Sequence, residues 1–297
     1  MQIVNAVKNL ITDVNITVTT DSLDENGLQC DGGMTIQSMD LSHVSLVRAV
    51  ISEAAFHTFG IKGRTCQVGM NLNNLSKVLA CAHDDDRVVM LYREGCLPGD
   101  SWIHMHMYSC GDDTTGSLIS LRGNSVAPHM SRKDPIREKY FKFPSMLVDE
   151  VVIGIPPYPC ICTMAMPSKL LFDITEDLGA FSDTLDISLY ESTKPRGYVV
   201  SYSSMYASES GGKHDLFAAN NGGELFVQVH QRPQGHTSAS EPIISLSFAS
   251  KYLQSFAQSY HVSDTVLIHI RDDAPIEVVY KDQDAFIAYH LAPRMAD

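Results

Sequence analysis

No apolar run in this 297-residue chain approaches the roughly 20 residues needed to cross a bilayer. Its opening, Met1-Gln2-Ile3-Val4-Asn5, lacks a basic patch leading into a long apolar core, so neither secretion nor membrane insertion is expected. The cysteines lack C-x-x-C spacing. There are seven, at 30, 66, 81, 96, 110, 160 and 162, and an odd set so spaced predicts buried, reduced thiols rather than disulfides or zinc. Basic residues are in the minority, 22 against 35 acidic, giving a formal charge of −13. Such a surface repels phosphates and excludes a protein that coats nucleic acid indiscriminately. Any nucleic-acid contact has to come from a local basic surface.

What remains is ordinary for a packed globular protein: 44% hydrophobic and 19% charged residues, 19 glycines and 13 prolines. The length fits one large domain or two of about 100–150 residues. Val4, Val7, Leu10, Ile11 and Val14 recur at helical spacing, and Asn15 to Thr19 alternate as a strand. A polar excursion from Asp21 to Gly33 reads as a loop. Strands are predicted at Met34–Gln37, Val44–Val47 and Val88–Tyr92, with a helix between them through Leu72, Leu75, Val78 and Leu79. The second half repeats this order. A helix carries Leu170, Leu171, Ile174, Leu178 and Phe181; strands follow at 185–189, 198–200, 225–229 and 243–246. A helix with Phe248, Tyr252, Leu253 and Phe256 and a strand at 265–268 complete the series. Leu75-Ser76-Lys77-Val78-Leu79 matches Ala249-Ser250-Lys251-Tyr252-Leu253. Two similar α+β domains are expected. Gly111 to Lys139 reads as a mobile insertion and Phe143 to Pro159 as an apolar connector lying against a domain surface.

Local chemistry is sparse. His104-Met105-His106 and Asp84-Asp85-Asp86 contain metal-ligating types, but the first alternates as a strand and the second suits a helix-to-strand turn. Gly211-Gly212-Lys213 lacks P-loop spacing and reads as a hairpin tip. No G-x-S-x-G occurs and no nucleophile stands beside a base. Neither an enzyme nor a bound cofactor or metal is expected.

The run Ile36-Gln37-Ser38-Met39-Asp40-Leu41-Ser42-His43-Val44-Ser45-Leu46-Val47 resembles the eukaryotic DNA sliding clamp family of proliferating cell nuclear antigen. Supporting matches are Gly69-Met70-Asn71-Leu72 through Leu79, Gly154-Ile155-Pro156, Met166-Pro167-Ser168, Ala274-Pro275 to Tyr280, and Leu291-Ala292-Pro293-Arg294. They follow the family's order, interrupted near 21–33, 111–137 and 205–240. The resemblance implies an α+β DNA clamp fold with two similar domains, 1–143 and 162–297, joined by a connector at 144–161. Each domain would hold two helices and β-sheets, and three subunits would close into a pseudo-sixfold homotrimeric ring in the nucleus. Such a ring encircles double-stranded DNA without reading its sequence, is placed there by a clamp loader, and tethers DNA polymerases and other replication and repair proteins. A checkpoint-type heterotrimeric subunit is the nearest alternative, disfavoured by the retained Gly154-Ile155-Pro156 and Leu291-Ala292-Pro293. A metal-dependent hydrolase using His104, His106 and Asp84–Asp86 stands further off.

Carried over position by position, the partner-peptide groove comprises Met39, His43, Val44, Leu46, Ile153, Ile155, Pro156, Pro275, His290, Leu291, Ala292 and Pro293. It would receive a short helical turn bearing aliphatic and aromatic anchors. His290 replaces the family's usual tyrosine, so peptide affinity is expected to vary between about pH 5.5 and 7.5. Lys8, Lys77 and Lys251 align with basic channel positions, and Lys169 partly compensates for Asp173 and Glu176, which stand where arginine is common. Ala80 and Gln258 also replace usual lysines. Weak, weakly salt-dependent DNA attraction follows. Met1 aligns inside the family's first helix, so the strand that normally precedes it is expected to be missing.

Overall fold

The computed structural model describes residues 1–23, 29–30, 32–95, 100–109, 137–149, 154, 159–193, 196–206, 210–219, 225–231, 241–271 and 274–294. In the first half these are α1 (Gln2–Lys8), β1 (Asp13–Thr19), the short pair β2 (Ser22–Leu23) and β3 (Gln29–Cys30), β4 (Gly33–Met39) and β5 (Ser45–Ser52). There follow β6 (Thr65–Asn71), α2 (Leu72–Leu79), β7 (Asp86–Arg93), β8 (Trp102–Ser109) and β9 (Arg137–Pro144). The second half contains β10 (Cys160–Pro167), α3 (Ser168–Gly179), β11 (Thr184–Thr193), β12 (Arg196–Tyr206), β13 (Ser210–Ala219) and β14 (Phe226–Val229). It ends with β15 (Ile244–Ala249), α4 (Ser250–Ala257), β16 (Thr265–Arg271), β17 (Ile276–Lys281) and β18 (Ala285–Leu291).

Alternation and capping account for most of these elements. Val14, Ile16 and Val18 of β1 point into the core between half-exposed neighbours. The Asn71 side-chain Oδ1 accepts from the Asn74 N–H at 3.0 Å and caps the start of α2. Both long helices are amphipathic: Leu72 and Leu75 of α2, and Leu171, Ile174 and Leu178 of α3, are buried.

Several expectations need correcting. Helix α1 ends at Lys8, and Val14 belongs to β1, because its alternating neighbours make it the first inward residue of a strand. Phe248 lies on β15 rather than on the helix after it. Gly211-Gly212-Lys213 lie inside β13, not at a hairpin tip; the hairpin is displaced beyond them because β12 and β13 pair through Tyr206 and Ser210. Arg137–Lys139, assigned to the insertion, open β9; the rest of that segment lies outside the described residues. Helices α2 and α4 start at Leu72 and Ser250. Ser76-Lys77 therefore sit in a last turn and Ser250-Lys251 in a first turn, and the local sequence match is out of register. Among the expected buried thiols, Cys162 is buried and pushed up to about 12, first by burial and then by Cys160, whereas Cys81 is exposed.

The repeat is carried by sheet topology. Strands β5-β4-β1-β6 of the first half correspond to β13-β12-β11-β15 of the second, and β7-β8-β9 to β16-β17-β18. β10, beside β16, has no counterpart on the outer edge of β7 among the described residues. The halves join where β18 pairs with β5 over seven residue pairs, Ala285↔Ile51 through Leu291↔Ser45, making one nine-stranded sheet. By the repeat, the equivalent strands are β9 and β13. Each is instead the end strand of its sheet. At the formed joint Tyr289 and Val47 are fully packed in the core, while Phe141, the counterpart of Tyr289, and Leu216, the counterpart of Ile51, are only half-buried. The helices form a second layer: α1 packs on α2, α3 on α4, and the turn Gln258–His261 touches both α1 and α3. Asn9 Nδ2 donates to Gln258 Oε1 at 2.7 Å across this seam.

Candidate partner groove and helical layer

The proposed groove is built on a cross-strand row. Met39 of β4 faces Leu46 of β5, Leu46 faces His290 of β18, and His290 faces Glu277 of β17. His269 of β16 and Thr163 of β10 continue the row. Antiparallel partners share a face, so Leu46 and His290, from opposite ends of the chain, become neighbours. Ala292 N donates to Val44 O at 3.1 Å, drawing the C-terminal segment against the loop between β4 and β5. Pro275 enters β17 beside this segment. Ile153, Ile155 and Pro156 lie outside the described residues. Leu291 does not line the groove: alternation turns it to the opposite face from His290, where it is wholly buried in the core.

Asp40 fixes the loop. Its carboxylate accepts from the backbone N–H groups of Ser42, Val44 and Ser45 at 3.0, 2.9 and 2.7 Å, and from the Tyr252 hydroxyl at 2.6 Å. Burial pushes the Asp40 carboxyl up, but these four donors outweigh it and hold it below the ordinary value. His43 adopts the left-handed backbone, φ 56°, and Leu41 projects fully into solvent at 101% exposure. An Asp followed by Ser and His is a recognisable Asx-turn signal. Tyr252, 212 residues away in sequence, had no local signal.

His290 is buried. Its Nε2 lies 3.8 Å from Glu277, which is itself salt-bridged to Arg271. Burial lowers its pKa below 6.5, Glu277 opposes that, and Arg271 and Arg48 add to the lowering. His269, next along the row, is also lowered by burial. Neutral His290 is thus the folded form. Between the folded and unfolded pKa values the unfolded chain binds more protons, so the contribution to stability is present above about pH 6.5 and lost as pH falls through the folded value. The window expected from sequence moves to its acid side. Thermal melting across pH 4.5–7.5 (roughly the range bracketing an imidazole) is expected to show this acid loss, and His290→Tyr to diminish it; identical profiles would contradict the assignment.

In the helical layer Lys77 and Lys251 are exposed with no carboxylate partner among the described residues, and Lys251 Nζ lies 4.8 Å from the Tyr252 ring centroid. Lys8 Nζ donates to Ser76 Oγ at 2.8 Å. Lys169 is engaged within its own helix. It pairs with Asp173 at 2.9 Å and lies over Phe172 and Tyr260, so its charge is neutralised within α3. The supposed metal ligands are engaged elsewhere: Asp85 and Asp86 with Arg137, His106 with Glu138, and His104 with Tyr140.

Comparison with known proteins agrees with this architecture. Residues 1–96 match the family model "Proliferating cell nuclear antigen, N-terminal domain", and residues 224–295 match the corresponding C-terminal domain model. The proliferating cell nuclear antigen of Caenorhabditis elegans is 25% identical over 297 residues, spanning 100% of this chain and 93% of that protein. The crystal structure of proliferating cellular nuclear antigen from Entamoeba histolytica superposes with a TM-score of 0.72 at 19% identity, covering 99% of this chain and 94% of that one. The α+β clamp fold follows from that superposition, and the two family models together cover more than half of the sequence. The chain therefore belongs to the proliferating cell nuclear antigen family of sliding clamps.

Proposed function

We propose that three copies of this chain close head to tail into a ring that encircles duplex DNA in the nucleus and tethers polymerases and other replication and repair proteins. The observation that carries the reading is the half-used joint: β18 meets β5 within the chain, while the equivalent β9 and β13 each end a sheet. A heterologous contact of this kind either closes into a ring or grows without limit, and a pseudo-sixfold repeat of two halves closes at three chains. The helical layer then lines the hole. Lys8, Lys77 and Lys251 supply attraction there, tempered by Asp173, Glu176 and Asp177. Binding is topological rather than tight, and its salt dependence is shallow because few phosphates are neutralised.

The groove of Met39, Val44, Leu46, Pro275, His290, Ala292 and Pro293 receives the short helical peptides of partner proteins, with His43 at its rim and Ile153, Ile155 and Pro156 of the connector completing it. A clamp loader opens the ring at one of the three joints.

Threading tests the ring directly. The protein is mixed with linear duplex DNA whose biotinylated ends are then blocked with streptavidin, and the complex is passed over a sizing column in high salt. Retention that is abolished by cutting the DNA once is the expected result. Equal retention before and after cutting, or none at all, would count against encirclement.

A further inference from the structure

The outward face of β7-β8-β9 carries an aromatic and cationic patch separate from both the groove and the helical layer. Alternation along β8 sends Ile103, Met105 and Met107 into the core and leaves Trp102, His104 and His106 on the other side. Lys142 Nζ lies 3.9 Å from the centroid of the Trp102 ring. Tyr140, 52% exposed, has its ring 5.8 Å from that of His104 and 5.9 Å from that of His106.

The charges on this face are unbalanced. Arg93 sits opposite Trp102 and Arg87 opposite Tyr108 in the β7–β8 register. Neither these arginines nor Lys142 has a carboxylate partner among the described residues. The face's own carboxylate, Glu138, is taken by His106 Nε2 at 2.5 Å. Burial first, and then Lys142 and Arg93, hold the His104 pKa below its ordinary value, so the two cations act on the rings of this face. In a chain of net charge −13, three unpaired cations on one aromatic face complement a polyanion.

The rings decide which polyanion. An acidic peptide would answer the cations and leave the row of rings unused. Alternate residues of a strand stand about 6.7 Å apart, roughly twice the 3.4 Å rise of a stacked DNA strand. An unstacked single strand can follow that spacing, laying bases on rings and phosphates against the flanking cations. A duplex cannot, because its base faces are covered. We propose that the outward face of β7-β8-β9 binds single-stranded nucleic acid. Pairing of β9 along its edge would leave this face open, so the proposal stands whether or not the ring forms.

Trp102 is the chain's only tryptophan, and its emission reports this face alone. Titrating the full-length protein with oligothymidylate in low salt is expected to quench that emission, with a dissociation constant on the order of 10⁻⁵ M. Tyr140→Ala is expected to weaken binding about tenfold, the effect of losing one stacked base, and Arg93→Ala to weaken it and flatten its salt dependence. Both side chains are exposed, and far-UV circular dichroism checks that the variants fold. Emission unmoved by oligothymidylate, emission moved instead by polyglutamate, or titrations identical in wild type and both variants would each overturn the proposal.

Discussion

Leu216→Asp is expected to convert a trimer of the 32.7 kDa chain into monomers that keep their secondary structure, as read by light scattering and circular dichroism. Leu216 of β13 is the counterpart of Ile51 on β5, on the same strand face as Val47, which is packed to 1% exposure where β18 covers it. Half-buried in the isolated chain, Leu216 would be sealed once β9 of a neighbour pairs alongside. An aspartate there stays hydrated in the monomer and becomes an unpaired buried charge in the ring. Burying such a charge costs several kcal/mol, and every 1.4 kcal/mol is about tenfold in affinity, so association falls by orders of magnitude. Phe141→Asp on the opposing strand should act alike. A Leu216→Asp protein that still scatters as a trimer would show that the ring, if formed, closes through other strands.

Asp40→Ala is expected to destabilise the protein by about 3–5 kcal/mol, since it strands three backbone N–H groups and the Tyr252 hydroxyl, each costing about 1–3 kcal/mol when unsatisfied. Partial rehydration of the loop keeps the total below their sum. Tyr252→Phe removes one charge-assisted bond and should cost about 1.5–3 kcal/mol. The pH dependence separates the two mechanisms. Because the folded carboxyl lies below its ordinary 3.8, its contribution is present above that pH and lost as pH falls through the folded value. Asp40→Ala should lack this acid limb, and Tyr252→Phe should retain a reduced one. Denaturant melts at pH 3 and pH 7 (values roughly either side of the carboxylate range) check this; equal losses at both would remove Asp40 as the cause. The loop so loosened carries Val44 and joins Met39 of β4 to Leu46 of β5, so partner peptides should bind Asp40→Ala more weakly, whereas Leu216→Asp leaves the proposed groove intact.

How far the sequence revealed all this depended on range. Period-two runs such as Asn15-Ile16-Thr17-Val18-Thr19 specify local structure, and they predicted elements close to those observed. The repeat was visible as element order, yet the residue match offered for it was misplaced by four positions, since only pairing partners such as Val14↔Met70 and Leu185↔Phe248 define equivalence. β9 was missed because its strand begins with Arg137-Glu138-Lys139, whose polarity continues that of the preceding segment. In the groove, resemblance supplied residues but not facing directions. Leu291 was assigned with His290 although neighbours on a strand point to opposite sides. Glu277 and Tyr252 carried no signal because their relevance arises only across strands or between layers. The pairing of Lys169 with Asp173 was legible from their spacing of one helical turn, whereas its place over Phe172 and Tyr260 was not.

The nine-stranded sheet that crosses the whole chain has a mechanical consequence. Seven consecutive residue pairs bind β18 to β5, and the connecting chain cannot lengthen without breaking them together. The two halves therefore form a stiff arc, with no hinge at its midpoint. In the proposed ring of three such chains compliance would reside at the ends, where strand meets strand from separate chains, so a gap for DNA would open between subunits while the β18–β5 joint within each chain stays closed.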